Sequence, residues 1–455
     1  MSPPFKVIVV GGGLSGALLA NGLQNNNVEF KVYERDTKDS AREGYQIRLG
    51  ESAMSGFRAC LDKERMNAIA QRLGQSSGST ATAPTLVNTR FEQVIDLNIL
   101  PTYAKSAAIN RVVLRDMLTE PIKKSGRIEY EKAFQRYEII QDSGRETVKV
   151  HFADGSSDSC DILVAADGSG SRINKQVGAN NIVSLDSHIA FVAKGDLPLE
   201  RLDHIPRRLQ EGPVMCFNGG SSFYYALYLP SSAQPDVNQT NSTKAQVSYD
   251  TKLASFYWGL TIKREEIPYD QVSDIPDARK MCISKLREWE WAQDLQDLVT
   301  VGSNDEGASV TALKFRASTP LPKNWRSQIQ ARAHTPEEGH PRVWLLGDAV
   351  HAMQPNRGQG GNQAMCDTAE MLPELLRLND IALSNKRTTT QDVTGACRVY
   401  EDKMFDRAFP WVKKSGGTSF PTVDFDGALG TLLKFMSYTV LPVVKFFARL
   451  LSRNG

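Results

Sequence analysis

The junction Lys6-Val-Ile-Val-Val-Gly-Gly-Gly-Leu-Ser-Gly16 constrains the fold of this chain more than any other stretch. The apolar run Val7 to Val10 suits a parallel strand covered on both faces. Gly11, Gly13 and Gly16 then fit G-x-G-x-x-G: the first permits a tight turn, the second lets backbone approach a pyrophosphate, and the third packs helix on strand. The helix that follows, patterned by Leu14, Ala17, Leu18 and Leu23, would offer its free N–H groups to the anion. A second strand, Val28 to Tyr33, ends in Glu34, 18 positions after Gly16. That is close to the ~20 expected of an acid that holds a ribose 2′-hydroxyl. An acid there disfavours a 2′-phosphate, so the expected dinucleotide is FAD or NAD rather than NADP. Arg35 is retained as a neighbour of the adenosine.

Further along, Gly44-Tyr-Gln-Ile-Arg-Leu-Gly50 reads as a strand returning toward the nucleotide, with Arg48 either turned toward it or in a surface salt bridge. Residues 51 to 74 look helical, 75 to 84 form a polar loop, and 85 to 100 read as paired strands. Ile109 to Leu118 is an amphipathic helix with Arg111 in its first turn, where a cation opposes the helix dipole; an anionic partner would explain it. Residues 127 to 153 alternate as a meander. They deliver the chain to Cys160-Asp-Ile-Leu-Val-Ala-Ala-Asp-Gly168, a buried strand with a glycine-rich end. The same strand-then-acid design returns in Arg342-Val-Trp-Leu-Leu-Gly-Asp348, followed by the glycine-rich loop Gln354 to Ala364 and a helix over 363–378.

The chain has 455 residues, 41% of them hydrophobic, which gives room for two or three domains. A net charge of +2 asks for no nucleic acid. The six cysteines have no C-x-x-C spacing and read as free thiols in a reducing compartment. The start of the chain lacks a secretory leader pattern, so a cytoplasmic location is expected and the sequons at Asn238 and Asn241 are expected to go unused. No histidine set has metal-ligand spacing, and His351 reads as a packed or capping residue.

Taken in order, the three motifs resemble the group A flavoprotein monooxygenases, the para-hydroxybenzoate hydroxylase-like fold in its fungal secondary-metabolism branch. They are Gly11-x-Gly13-x-x-Gly16 with Glu34, Asp167-Gly168 with Ser171-Arg172, and Gly347-Asp348 with the Pro355 to Asn362 loop. The resemblance implies an α/β fold: a Rossmann-type, glutathione reductase-like FAD-binding domain over 1–70, 105–183 and 305–380. A β-sheet substrate domain over 71–104 and 184–304 is interleaved with it, and a helical region over 381–455 follows. It implies bound FAD, a transient NADPH or NADH, and O2 as co-substrate, with oxygen transferred through a flavin C4a-hydroperoxide to an electron-rich aromatic, indole or prenylated intermediate. The glycines and Glu34 would take the ADP half, Arg111 and Asp348 the pyrophosphate and ribityl chain, and Asp167 and Gly168 would serve both FAD and nicotinamide. Gly360, Gly361 and Asn362 would lie beside the isoalloxazine.

The substrate sheet is expected to cover the flavin with one face. Alternation separates Phe223, Tyr225 and Leu227 from Tyr224, Ala226 and Tyr228. Where many relatives carry Trp-Arg-Gly, this chain has Ala193-Lys194-Gly195; lysine keeps the charge and loses the bidentate fork. Lys194 and Tyr225 are the catalytic candidates. The polar stretch 231–247 reads as a mobile insertion. The alternative to oxygen transfer is a flavin-dependent dehydrogenase or cyclase. At the far end, Lys434, Lys445 and Arg449 would share one face of a continuous helix over 432–451 with apolar residues opposite, a helix that Pro442 would interrupt. Docking on the protein's own surface or a dimer interface competes there with peripheral membrane contact.

Overall fold

The computed structural model describes residues 5–38, 40, 46–74, 81–100, 103–142, 145–197, 201, 205–230, 254–300, 310–384 and 388–440. The 231–247 insertion, both sequons, Gly44, and residues 441–455 lie outside the described residues. Two compact units divide the chain.

The first unit takes Met1–Ala70, Asn110–Leu185 and Arg316–Ser419. Its centre is a five-stranded sheet ordered Val343–Leu345, Ile162–Ala165, Lys6–Val10, Glu29–Tyr33, Ile128–Glu129. Every neighbouring pair is parallel. Val7, Ile8 and Val9 are fully buried, as a strand covered on both faces requires. The helix Leu14–Asn25 leaves the first strand through the glycine turn and buries Leu14, Ala17, Leu18 and Leu23, as the apolar period predicts. The expected meander is the antiparallel trio Phe134–Asp142, Arg145–Phe152 and Ser157–Cys160. Two long helices, Gly360–Leu383 and Thr390–Lys414, pack against each other in this unit. The first begins three residues before the expected Gln363. Residues 381–419 therefore go with the sheet that carries the glycine turn.

The second unit takes Gln71–Ile109, Asp186–Phe315 and Phe420–Gly455. The expected paired strands over 85–100 are Thr85–Val87 and Gln93–Asp96. They extend a sheet in which the parts of Ile182–Asp196, Ser255–Lys263, Ser221–Tyr228 and Val214–Asn218 run antiparallel. One face of that sheet supplies Phe191, Ala193, Phe223, Tyr225, Leu227, Phe256 and Trp258 to a core shared with Cys282, Leu286, Leu295 and Leu298 from the helices Ala278–Glu288 and Gln293–Thr300.

The six cysteines are all unpaired and buried. Among the described residues, no helix is long and apolar enough to cross a membrane, and no His/Cys/Asp/Glu group is arranged to hold a metal ion.

Candidate active site

Three neighbouring parallel strands of the first unit end in the three motifs. Val10 leads into Gly11, Ala165 into Asp167, and Leu345 into Gly347 and Asp348. The carboxyl ends of adjacent parallel strands are where doubly wound sheets bind ligands.

At the first motif, Gly11 has φ +110°, and a Cβ there would stand 2.3 Å from the Ala166 carbonyl oxygen. Its N–H donates to the Tyr33 carbonyl at 2.8 Å, tying the turn to the second strand. A Cβ on Gly16 would meet the Gly11 carbonyl oxygen at 2.1 Å, so the third glycine is required by the helix–turn packing itself. Gly13 differs: a Cβ there has nothing within 4 Å. Its helix has no side-chain cap and no acid in its first turn, which leaves the amino end of the dipole to an anion. Glu34 stands at this mouth, its Oε2 accepting the Gly12 N–H at 2.7 Å. Arg35 points elsewhere, 62% exposed with its guanidinium 3.8 Å from Asp36.

At the second motif, Asp167 Oδ2 accepts the Arg172 N–H at 3.1 Å, while Oδ1 is buried with no hydrogen-bond partner. Burial pushes this carboxyl above its usual range against the pull of its hydrogen bonds. Gly168 has φ +77°. Ser171 caps the short helix Arg172–Gln176 by accepting the Asn174 N–H at 2.9 Å.

At the third motif Asp348 is exposed, yet enough protein surrounds its carboxyl that desolvation raises its pKa. His351 and Arg111 pull the other way, so Arg111 does have an anionic neighbour. Asn110 caps the Arg111 helix, accepting from Val112 and Val113 N–H groups, which eases the conflict with the dipole. A Cβ on Gly360 would stand 3.7 Å from Asp348 Oδ1, so the start of the long helix closes on the same carboxylate. That helix too lacks a side-chain cap and a first-turn acid.

Asn362 has a role the sequence did not disclose. Its Nδ2 donates to the Arg48 and Gly358 carbonyls at 2.8 Å, and its Oδ1 accepts the Gly50 N–H at 2.7 Å. Its side-chain amide therefore laces the Gln46–Leu49 strand to the glycine loop. Gly361 completes the contact: a Cβ there would lie 2.5 Å from Ile47 Cδ1.

Below the third motif lies a buried charge network that sequence reasoning missed. Asp367, 0% exposed, meets His351 Nε2 at 2.8 Å and is paired through Oδ1 with Arg407. Arg407 also holds Glu370 with two bonds of 2.8 Å. Burial opposes both charges of the first pair, but mutual attraction wins: His351 is held above, and Asp367 below, its ordinary value. The available signal was an ionisable residue inside the small, apolar run Ala364-Met-Cys-Asp-Thr368.

In the second unit, Lys194 and Tyr225 occupy opposite faces. Tyr225 is fully buried in the helix-packed core, its ring stacked on Phe256 at 5.9 Å and its hydroxyl without a partner. That burial corrects the expectation of a catalytic phenol at Tyr225, because a group walled in by the core has no access to a reacting atom. Lys194 lies on the other face, in register with Tyr257, whose ring sits 5.9 Å from that of Tyr224.

The chemistry of this donor set fits FAD: a cradle open at Gly13, two uncapped helix starts, an acid at the end of the second strand, and a buried carboxylate oxygen in want of a donor. The comparisons agree. The sequence profile of a family described as FAD binding domain matches residues 4–193 and 314–378. The FAD-dependent monooxygenase dbaB of Emericella nidulans is 24% identical over 385 residues, covering 81% of this chain and 86% of that protein. The chloroplastic zeaxanthin epoxidase of Nicotiana plumbaginifolia is 24% identical over 415 residues, 87% of this chain but 52% of that one, so this chain spans about half its length. In fold, the crystal structure of Klebsiella pneumoniae HpxO complexed with FAD and uric acid matches with a TM-score of 0.62 at 20% identity, over 98% of this chain and 92% of that one. On these grounds the chain belongs to the FAD-binding family of group A flavoprotein monooxygenases.

Proposed function

We propose that this chain takes hydride from NADPH or NADH and inserts one atom of O2 into an electron-rich aromatic, indole or prenylated small molecule, by hydroxylation or epoxidation. The observation that carries this reading is the convergence of the glycine turn, Asp167 and Asp348 on the ends of three adjacent parallel strands.

When bound, FAD supplies the hydride-accepting and oxygen-activating ring. The residues supply position and charge. Gly11 to Gly16 and the amino end of the Leu14–Asn25 helix take the pyrophosphate, and Glu34 takes the adenosine ribose. Asp348 and Arg111, close enough to interact electrostatically, would hold the ribityl chain and phosphates. Asp167 offers Oδ1 as a hydrogen-bond acceptor. The N–H groups of Gly360, Gly361 and Asn362, at an uncapped helix start, would favour negative charge on a ring bound before them.

Lys194, in register with Tyr257, is assigned to binding an anionic or carbonyl oxygen of the substrate. Lys194→Gln should then lower kcat/KM with FAD content unchanged, and Lys194→Arg should restore part of it; equal kcat/KM in all three would remove Lys194 from the reaction.

Oxygen transfer is tested by turnover of aromatic, indole and prenylated-indole substrates under ¹⁸O2 with mass analysis of the product. One ¹⁸O atom in the product supports the reading. An oxidised or cyclised product without label supports the dehydrogenase or cyclase alternative.

A further inference from the structure

The strand Gln46–Leu49 of the first unit begins with a side chain that the fold leaves without partners. Gln46 is 9% exposed, yet neither its Nε2 nor its Oε1 takes part in a hydrogen bond. Among the described residues it is the one side chain with a buried donor and a buried acceptor both unmet. A primary amide withdrawn from water without new partners destabilises a fold, and an apolar side chain of the same length would not. Stability therefore does not explain a glutamine at this position. A ligand that supplies both missing partners does.

The strand's other attachments narrow the choice of ligand. Ile47 packs on the start of the Gly360–Leu383 helix, where a Cβ on Gly361 would lie 2.5 Å from its Cδ1. The Asn362 amide ties down the Arg48 carbonyl and the Gly50 N–H. The same helix start closes on Asp348, with a Cβ on Gly360 standing 3.7 Å from its Oδ1. Side chains alternate along a strand, so with Ile47 turned to Gly361, Gln46 and Arg48 share the other side, about 7 Å apart. On the reading that Glu34 takes the adenosine ribose and the glycine turn takes the pyrophosphate, the adenosine end of FAD is accounted for. That leaves the flavin half for a strand tied to the third motif. A diphosphate offers only acceptors and would leave Oε1 unmet, whereas the flavin half carries donors beside acceptors in its ribityl hydroxyls and its ring imide. We propose that Gln46 is a further FAD-holding residue, its amide donating to and accepting from the flavin half of the cofactor.

The test compares the full-length wild type with Gln46→Met, which keeps the length of the side chain and removes both polar atoms. Three quantities are measured: the melting temperature of the FAD-free protein, FAD affinity by flavin fluorescence, and ADP affinity by calorimetry. Without FAD the variant should melt at the wild-type temperature or higher. Its FAD affinity should fall about tenfold, the worth of one or two neutral hydrogen bonds. Its affinity for ADP, which lacks the flavin half, should not change. Equal FAD affinity in the two proteins overturns the proposal, and so does a parallel fall for FAD and ADP. A variant that melts lower without FAD overturns it too, because the amide would then serve the fold. Wild-type protein that binds ADP and takes up no FAD overturns the cofactor reading itself, and the proposal with it.

Discussion

Asp367 Oδ2 accepts the backbone N–H of Gly347 at 2.8 Å, and the same oxygen meets His351 Nε2 at 2.8 Å. A carboxylate on the Gly360–Leu383 helix thus holds the turn that carries Asp348. Gly347 is locked from the other side as well: its φ is +63°, and a Cβ would come within 2.7 Å of Ala364 Cβ. The turn, the helix and Arg407 form one unit of buried electrostatics, and this is why the third motif carries its histidine.

Asp367→Asn should therefore destabilise the protein and weaken FAD together. The amide keeps an acceptor for Gly347, but His351 and Arg407 lose the anion between them. Breaking a buried ion pair costs about 3–5 kcal/mol. Urea midpoints and FAD titration should both fall; a variant with wild-type midpoint and wild-type affinity would show that the network positions nothing.

The same pair sets a pH window. His351 is raised above its ordinary 6.5, so its share of the stability is complete below that value and is lost as pH rises through the raised one. Asp367 is lowered below its ordinary 3.8, so its share is present above that value and is lost as pH falls through the lowered one. The stability gap between wild type and His351→Gln should be widest from weakly acidic to neutral pH and shrink on both sides. A gap independent of pH from about 2 to about 9, a range that spans both ordinary values, would contradict the assignment.

Gly13 and Gly16 separate ligand from fold. Gly16→Ala drives a Cβ into the Gly11 carbonyl and should give a poorly folded protein, whereas a Cβ on Gly13 meets no protein atom. Gly13→Ala should keep the melting temperature of the FAD-free protein and lose FAD affinity by about tenfold or more, because the conflict arises only with a pyrophosphate. Equal FAD affinity in Gly13→Ala and wild type would show that the dinucleotide does not approach this glycine.

Tyr225→Phe removes a buried hydroxyl that has no partner. Stability should be unchanged or higher by about 1 kcal/mol, and turnover should be retained. A large loss of kcat at unchanged stability would return Tyr225 to the site.

What the sequence disclosed is local. The Lys6–Val10 strand, the glycine turn, the helix and Glu34 follow from period and spacing within 34 residues, and the structure joins the turn to the acid through the Gly12 N–H and Glu34. The acids Asp167 and Asp348 were legible because each follows a short buried strand. Long-range partnerships were not. Nothing in the pattern of the Gly360–Leu383 helix says that Asp367 faces Arg407 from a helix 40 positions onward, or that Asn362 spends its amide on Arg48 and Gly50, more than 300 residues upstream. Alternation separated Tyr225 from Tyr224, yet which face becomes core was decided by helices arriving at Ala278 and Gln293. The C-terminal helix, read from Leu432 onward and as interrupted by Pro442, starts earlier, at Ala428, and gives way at Met436 to a wide π-type turn; Pro442, Lys445 and Arg449 lie outside the described residues.

The central claim is that this arrangement binds FAD in a form that accepts hydride. The decisive measurement is anaerobic mixing of the purified, FAD-loaded protein with NADPH, and separately NADH, in the presence and absence of a substrate panel, while the oxidised-flavin band is followed. Bleaching of one bound flavin per chain by at least one nicotinamide is the predicted result. Protein that cannot be loaded with FAD, or bound flavin that stays oxidised with both nicotinamides under every condition, would contradict it.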